Sequence, residues 1–274
     1  MKKKNSRKGQ WYKIAAIICA LAFIVFVGLC FNNTDKKVGN VKAAEEFKKS
    51  VTDTDTTTAQ TPGQAPAQTP AQAPHGEDVS VPYKSPVDFE GLQEINPDIC
   101  GWLEIKGTDI SYPVLQQPAN DAYYLDHDYT GTYDTGGALF TEGSYNKKDF
   151  TDPVTVIYGH HLRSGEMFGN LQKYYADDFE KYSDIVIYAP EEEIRYKAFA
   201  AISFSNRHIL YYYNGFEDES MIKEFLDDIN HTRSIGSYVD KDVEIKTDDH
   251  LIVLSTCLQG DRTGRFLVIG KRVN

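Results

Sequence analysis

Positive charge is scarce in this chain of 274 residues. Lys and Arg number 29 against 40 Asp and Glu, so the formal net charge is −11 at pH 7. Six of the 29 positive residues lie in the first 13, where no acidic residue occurs, so the other 261 residues carry −17. Nucleic-acid binding needs a basic surface that meets the phosphates. The acidic main part of the chain therefore excludes nucleic acid as a partner.

Cysteine is equally scarce, with four in the whole chain. Cys19 and Cys30 lie inside an apolar run, which leaves Cys100 and Cys257 for the remainder. An oxidising compartment would permit a disulfide between these two. However, Cys100 lies in an apolar setting typical of a small core residue, and a domain of this size forms its own core without a crosslink. We therefore favour a free thiol at Cys257, with the disulfide as the alternative.

Long hydrophobic runs are absent apart from one near the start. Residues 14–31 are 18 residues without a charge, close to the length that crosses a bilayer core. The basic residues 1–13 favour a cytoplasmic position for this end. A cleaved signal peptide is the alternative, with residues 41–44 as the cleavage region. We predict a retained single-pass anchor in the cell membrane, with the chain after it extracellular.

Residues 32–82 contain little that could form a core. A degenerate repeat rich in Pro, Ala, Gln and Thr occupies residues 60–74 and predicts an extended spacer without a fixed fold. Residues 83–274 have the size of one ordinary domain. The sequence thus predicts a basic cytoplasmic segment, an anchor, a disordered spacer and one folded domain.

The pattern of residues 83–274 is mostly that of β-strands joined by short turns. A short helix is predicted from Ser85 to before Asn96, and an amphipathic helix at about residues 217–230. Runs of apolar, β-branched and aromatic residues predict strands at 102–105, 110–115, 138–140, 154–158, 185–188, 194–204, 251–254 and 266–269. We predict a mostly β fold, a closed β-barrel of about eight strands with peripheral α-helices.

A possible nucleophile and a cation lie at the ends of two of these strands. Cys257 follows the apolar run 251–254, and eight residues later Arg265 opens the next strand. Neighbouring strands would hold them side by side, which suits acyl transfer, because a thiolate attacks a carbonyl and the oxyanion needs a positive partner. Arg262 is the alternative cation, but it lies in a polar turn that would hold it less firmly than a strand holds Arg265.

A cysteine nucleophile needs an acid and base, and seven histidines are available. His160 follows the buried strand 154–158 through Gly159, an arrangement that presents a side chain at the rim of a barrel. His161 beside it suggests a metal pair. Adjacent strand residues point to opposite faces, and no cysteine or carboxylate has ligand spacing, so we expect no metal. The pattern favours His160 as the acid and base.

Together these segments resemble the sortases, and specifically the class B sortases. Residues 254–257, Leu-Ser-Thr-Cys, are similar to the end of their Thr-Leu-x-Thr-Cys signature, in which Val253 here replaces the first Thr. Residues 158–160, Tyr-Gly-His, resemble their histidine loop, and Arg265 resembles their arginine position. The resemblance covers nearly all of residues 85–274, in the order His, Cys, Arg.

The resemblance implies a sortase-like barrel and a cysteine transpeptidase without a metal or organic cofactor. Cys257 would attack the carbonyl of a Thr in the C-terminal sorting signal of a secreted protein, and Arg265 would stabilise the oxyanion. His160 would protonate the leaving amine. An amine of the cell-wall peptide bridge, or a pilin lysine, would then resolve the thioacyl enzyme. The partners implied are thus sorting-signal proteins, a peptidoglycan amine and, through the anchor, the membrane.

Three further residues are candidates for contact with the substrate. Ser255 and Thr256 adjoin the nucleophile, although both could be ordinary strand hydroxyls, and His161 adjoins His160. An L,D-transpeptidase is an alternative function, but its cysteine follows a different motif. A papain-like wall hydrolase places its Cys before its His. An anchored binding protein with an inactive site is the alternative outside enzymes.

Overall fold

The computed structural model describes residues 83–258 and 260–274, with the side chains of residues 261 and 262 excepted. The predictions for residues 1–13, 14–31 and 32–82 lie outside this part of the chain. Among the described residues, no helix has both the length and the apolar character needed to cross a membrane.

The described residues form nine strands and four α-helices. The strands are β1 Ile99–Ile105, β2 Ser111–Leu115, β3 Leu139–Phe140, β4 Val154–Tyr158, β5 Asp184–Tyr188, β6 Glu193–Ser205, β7 Tyr238–Val239, β8 Leu251–Leu258 and β9 Asp261–Arg272. The α-helices are α1 Phe89–Ile95, α2 Leu171–Asp177, α3 Ile209–Tyr212 and α4 Glu219–His231. Short 3-10 turns occupy Tyr123–Leu125, Glu180–Tyr182 and Asn214–Phe216.

Eight of these strands close into a barrel. The sheet order is β5-β1-β2-β3-β4-β8-β9-β6, and a further pairing of β5 with β6 joins its two ends. The long β6 pairs with β5 through its first half, and the two-residue β7 pairs with its second half. The pairs β2–β3 and β4–β8 are parallel, and the other pairs are antiparallel. The prediction of a closed barrel with about eight strands and peripheral helices is confirmed.

Strand alternation divides the apolar residues between two cores. Ile252 and Leu254 of β8 face the barrel interior, whereas Val253 faces outward. The outer core lies between the sheet and the helices α3 and α4. Ile222, Phe225 and Ile229 are the buried residues of α4, which confirms its predicted amphipathic pattern. The face of the sheet that carries Val253 is thus covered by helices over part of its length.

Two local expectations differ from the structure. Asp88, rather than Ser85, caps α1, because the Asp88 carboxylate accepts from Gly91 N at 3.1 Å. The Ser85 hydroxyl instead accepts from Val87 N at 3.2 Å. In addition, β8 and β9 extend well beyond their apolar runs, because each continues to pair with its neighbour whatever its hydropathy. This extension places residue 257 inside a strand.

Candidate active site

Cys257 and Arg265 lie directly opposite each other on the antiparallel pair β8–β9. Direct partners share one face of a sheet, so the guanidinium and the thiol are neighbours. Arg265 Nη1 lies 3.7 Å from Cys257 Sγ and also donates to Gly264 O at 3.3 Å. Both side chains are half-buried. The predicted adjacency of the Cys257 thiol and the Arg265 guanidinium is therefore present, and their catalytic roles stay predictions.

His160 is brought to the same edge of the sheet by the parallel pair β4–β8. Tyr158 is in register with Ser255, and Gly159 N donates to Ser255 O at 3.1 Å. Position 159 requires glycine, because a Cβ there would lie 2.4 Å from Leu139 Cδ2 and 2.6 Å from a ring carbon of Phe168. The close approach permitted by this glycine places His160 directly after the end of β4.

A backbone carbonyl orients the His160 ring. His160 Nε2 lies 2.7 Å from Leu125 O. A carbonyl oxygen only accepts hydrogen bonds, so Nε2 carries a hydrogen and the neutral ring keeps its lone pair on Nδ1. The same carbonyl stabilises the imidazolium when Nδ1 is protonated. His160 can therefore give and take a proton at Nδ1 without turning its ring.

The carbonyl that holds His160 depends on a second glycine. Gly137 has φ 60°, and a Cβ at this position would lie 2.5 Å from Tyr124 O and 2.8 Å from Leu125 O. These are backbone atoms, which could give way only by a shift of the 3-10 turn Tyr123–Leu125. Gly137 thus fixes the position of the acceptor for His160.

The three predicted substrate contacts have different settings. Ser255 and Thr256 are 3% and 2% exposed. By strand alternation Ser255 shares the face of Cys257, whereas Thr256 shares the inner face of Leu254. Thr256 Oγ1 has no hydrogen-bond partner among the described residues. Of these two hydroxyls, only that of Ser255 lies on the face of the sheet that carries Cys257, and a role of either in substrate binding stays a prediction.

His161, the third predicted contact, is half-buried. It forms an isolated β-bridge with Met167, and burial lowers the pKa of its ring below the ordinary value. Its buried Nδ1 has no partner within the part of the chain that the structure describes. The neutral ring is thus the favoured form, and the role of His161 in substrate binding stays a prediction.

The two cysteines of the described residues are both free. Cys100 is 5% exposed, and its Sγ donates to Val114 O at 3.4 Å. Burial raises the pKa of this thiol to about 12. Cys257 is half-buried beside Arg265. Cys100 is a core residue, and Cys257 is the accessible thiol.

A cavity of about 600 Å³ lies at the end of the β8–β9 hairpin, and neither Cys257 nor Arg265 is among its lining residues. It is lined by Leu258 and Gly264, the chain neighbours of Cys257 and Arg265, and by residues at the end of β6 and the C-terminal end of α4. The side chain of Arg262, the alternative cation, lies outside the described part of the chain. The cavity therefore adjoins the chain neighbours of the two residues and not their side chains.

Some residues near the site carry no clear signal in the sequence. The Glu142 carboxylate accepts from His208 Nε2 at 2.8 Å and from the Tyr158 hydroxyl at 3.3 Å. Tyr158 could have been identified from the sequence, because it precedes His160 by two residues and strand alternation would place both on one side. The contact between Glu142 and His208 could not be predicted from the sequence, because the two residues are 66 positions apart. The Leu125 carbonyl could not be singled out either, because every residue has a backbone carbonyl.

Comparison with protein families gives one match over most of the described residues. Residues 103–273 match the model of the sortase domain. Sortase B of Listeria monocytogenes is 31% identical over 188 residues, which cover 68% of this chain and 74% of that protein. The segment that matches the sortase domain contains His160, Cys257 and Arg265.

Solved structures give the same result. The Staphylococcus aureus sortase B–substrate complex aligns with a TM-score of 0.65 at 23% identity, covering 88% of this chain and 97% of the other, a likeness of fold. A Streptococcus pyogenes class B sortase involved in pilus biogenesis aligns with a TM-score of 0.57 at 27% identity, covering 68% and 98%.

Proposed function

The chain belongs to the sortase family as a class B cysteine transpeptidase, and from this premise we propose that it cleaves sorting signals after Thr and joins the protein to a cell-wall amine. One observation carries the proposal. The Cys257 thiol and the Arg265 guanidinium lie 3.7 Å apart on paired strands, and His160 follows the end of β4, the strand that pairs with β8. A thiol, a permanent cation and a proton carrier are the groups that two successive acyl transfers need.

The first transfer forms the thioacyl enzyme. The Cys257 thiolate attacks the Thr carbonyl, a C–S bond forms, and the carbonyl electrons move onto oxygen. Arg265 donates to this oxyanion. As the tetrahedral species collapses, the C–N bond breaks and the His160 imidazolium protonates the departing amine. The C-terminal remainder of the sorting signal leaves.

The second transfer reverses these roles. An amine of the peptide bridge attacks the thioester carbonyl, and neutral His160 removes a proton from it through Nδ1. Arg265 again donates to the oxyanion. The C–S bond then breaks, Cys257 leaves as a thiolate and a new amide remains. The ring begins and ends the cycle as imidazolium, because Leu125 O holds Nε2–H throughout.

The cellular setting is part of the same proposal. Residues 14–31 would anchor the chain, residues 32–82 would act as a spacer, and residues 83–274 would meet secreted proteins outside the membrane. A pilin lysine is the second candidate for the amine, favoured by the Streptococcus pyogenes relative at 27% identity. The two candidates differ only in the nucleophile of the second transfer.

A peptide library tests this function directly. The full chain in detergent is incubated with peptides that vary around one Thr, together with triglycine or a lysine amine, and products are identified by mass spectrometry. We expect a thioacyl adduct on Cys257 without amine and a new amide after Thr with it, whereas Cys257→Ala gives neither. Equal inertness of both proteins across the library would contradict the proposal. Cleavage of wall peptides would support a hydrolase.

Replacing Gly137 with alanine is expected to lower kcat/KM for this reaction by about 10- to 100-fold, because small displacements of a catalytic group are costly. The added Cβ overlaps Leu125 O, so the carbonyl must move away from His160 Nε2. Steady-state kinetics measures the loss. Nitrogen-15 NMR of the His160 ring should show a mixture of tautomers in place of the single form that carries its hydrogen on Nε2.

Gly236→Ala is the matched control for Gly137→Ala. Gly236 has φ 79°, so alanine there suffers comparable backbone strain, but a Cβ would meet nothing within 4 Å. We expect activity and the His160 NMR signals to stay as in wild type. If both variants lose activity alike, the loss at Gly137 is due to strain and not to the carbonyl.

A further inference from the structure

Glu142 is a largely buried carboxylate that neither acyl transfer uses. Its side chain is 12% exposed, and both of its oxygens are occupied. Oε1 accepts from His208 Nε2 at 2.8 Å, and Oε2 accepts from the Tyr158 hydroxyl at 3.3 Å. Burial raises the pKa of Glu142, and its hydrogen bond with His208 opposes that rise. A buried charge is costly unless it is paired, so this carboxylate depends on His208.

His208 is held from both sides of its ring. Nδ1 accepts from Tyr211 N at 3.0 Å, which makes His208 the N-cap of α3. Because Nδ1 accepts, the hydrogen of the neutral ring is on Nε2, where it is donated to Glu142. One imidazole therefore joins α3 to the segment between β3 and β4.

The helix joined in this way covers the face of the sheet that carries the reactive residues. Ile209 and Leu210 of α3 lie in the outer core with Val253 and Leu267. These two strand residues are on the same faces of β8 and β9 as Cys257 and Arg265, by alternation. Val253 lies four residues before Cys257 on β8, so α3 packs on the same face of the sheet as the thiol, further along the strand.

Tyr158 connects this contact to the reactive residues. It is in register with Ser255, two residues before the nucleophile. Burial raises the pKa of Tyr158 far above its ordinary value, Glu142 adds to the rise, and the positive charge of Arg265 opposes it. The phenol therefore lies within the electrostatic reach of both Glu142 and Arg265.

We propose that Glu142 and His208 are positioning residues for binding of the sorting peptide. Their contact fastens α3 to the sheet next to Tyr158 and keeps the surface around Cys257 preorganised for an extended peptide. The inference rests on the proposed function, of which it is a refinement. Without the contact, the free energy needed to order α3 is taken from peptide binding, so KM rises while the chemical steps at Cys257 keep their rate.

Three substitutions separate this role from a structural one. His208→Asn keeps a good N-cap but is too short to reach Glu142. Glu142→Ala removes the acceptor, whereas Glu142→Gln can still accept from His208 and donate to Tyr158. We expect His208→Asn and Glu142→Ala each to raise KM for the sorting peptide by about tenfold, with kcat within about threefold. Glu142→Gln should restore KM to within about threefold of wild type.

The double variant Glu142→Ala/His208→Asn should raise KM no more than either single substitution, because both break the same contact. Lys197→Ala is the control, since it removes an exposed ion pair to Asp184 of 2.9 Å, which should leave KM unchanged. Additive effects on KM would overturn the proposal. So would a fall in kcat and thermal midpoint at constant KM, which indicates only a structural role.

Amide hydrogen exchange of the full chain gives a readout that needs no substrate. We expect Glu142→Ala to speed exchange of the Tyr211 amide and of the rest of α3, while the amides of α4 stay as in wild type. If Glu142→Ala speeds amide exchange in α3 but the wild-type protein acts on no peptide, the proposed function is wrong. The contact between Glu142 and His208 would still be shown to hold α3 in place. If wild type is active and neither exchange nor KM changes, the positioning role is wrong.

Discussion

Substituting Arg265 with lysine is expected to lower kcat/KM for transpeptidation by about 10²- to 10³-fold, the loss typical of one missing oxyanion donor. The guanidinium is a rigid fork whose Nη1 already reaches both Cys257 Sγ and Gly264 O. Its other N–H groups have no further hydrogen bond among the described residues and could donate to an oxyanion on the same side. An ammonium on a flexible stem offers no such fixed geometry. Single-turnover acylation of Cys257, followed by mass spectrometry, measures the loss.

The same substitution on another arginine of β9 provides the control. Arg272 forms an ion pair with Glu192 at 2.7 Å, at the far end of the strand from Arg265. Arg272→Lys should leave acylation near the wild-type rate, and the thermal midpoints of both variants should stay within a few degrees of wild type. Normal acylation by Arg265→Lys would show that another group holds the oxyanion, and Arg262→Lys would then be the next variant.

A methanethiosulfonate reagent is expected to label Cys257 at least about 10³ times faster than Cys100. The thiolate is the reactive form, and a thiol with a pKa of about 12 has only about one part in 10⁴ as thiolate at pH 8. Cys100 is also 5% exposed, so reagent reaches it only when the barrel opens. Cys257 is half-buried and lies beside a permanent cation. Timed quenching and peptide mass mapping of the full chain give both rates.

Two comparisons make the labelling result decisive. In Cys257→Ala the fast adduct should vanish, while the slow labelling of Cys100 continues unchanged. Peptide mapping also separates both sites from Cys19 and Cys30. Equal rates at Cys100 and Cys257 would contradict the buried position of Cys100. Absence of any free thiol at the two sites would instead support the disulfide.

The features predictable from the sequence are those with a local pattern. The apolar runs located most strands, and the eight-residue spacing of Cys257 and Arg265 matches a pair of adjacent strands. Closure of the barrel through β5 and β6 follows from pairings that no single run encodes. The bulge between Cys257 and Leu258 is also a product of pairing.

Contacts between segments far apart in the chain could not be predicted from the sequence. The carbonyl that orients His160 belongs to Leu125, 35 residues earlier, and its side chain gives no hint of that role. His208 stands next to an arginine in a polar stretch, so only the structure shows that it meets Glu142. The N-cap of α1 was misplaced because Ser85 and Asp88 both suit that position, and the tertiary contacts of the helix choose between them.

The strand order of the barrel affects the order in which its strands can pair during synthesis and folding. The hairpin β8–β9 follows every other described strand along the chain, yet it lies between β4 and β6, which come much earlier. Domains acquire such long-range pairings late. Cys257 and Arg265 thus enter the fold together, on the hairpin whose insertion completes the barrel. A chain whose synthesis stops before residue 251 contains neither Cys257 nor Arg265, so such incomplete molecules lack the thiol of this site.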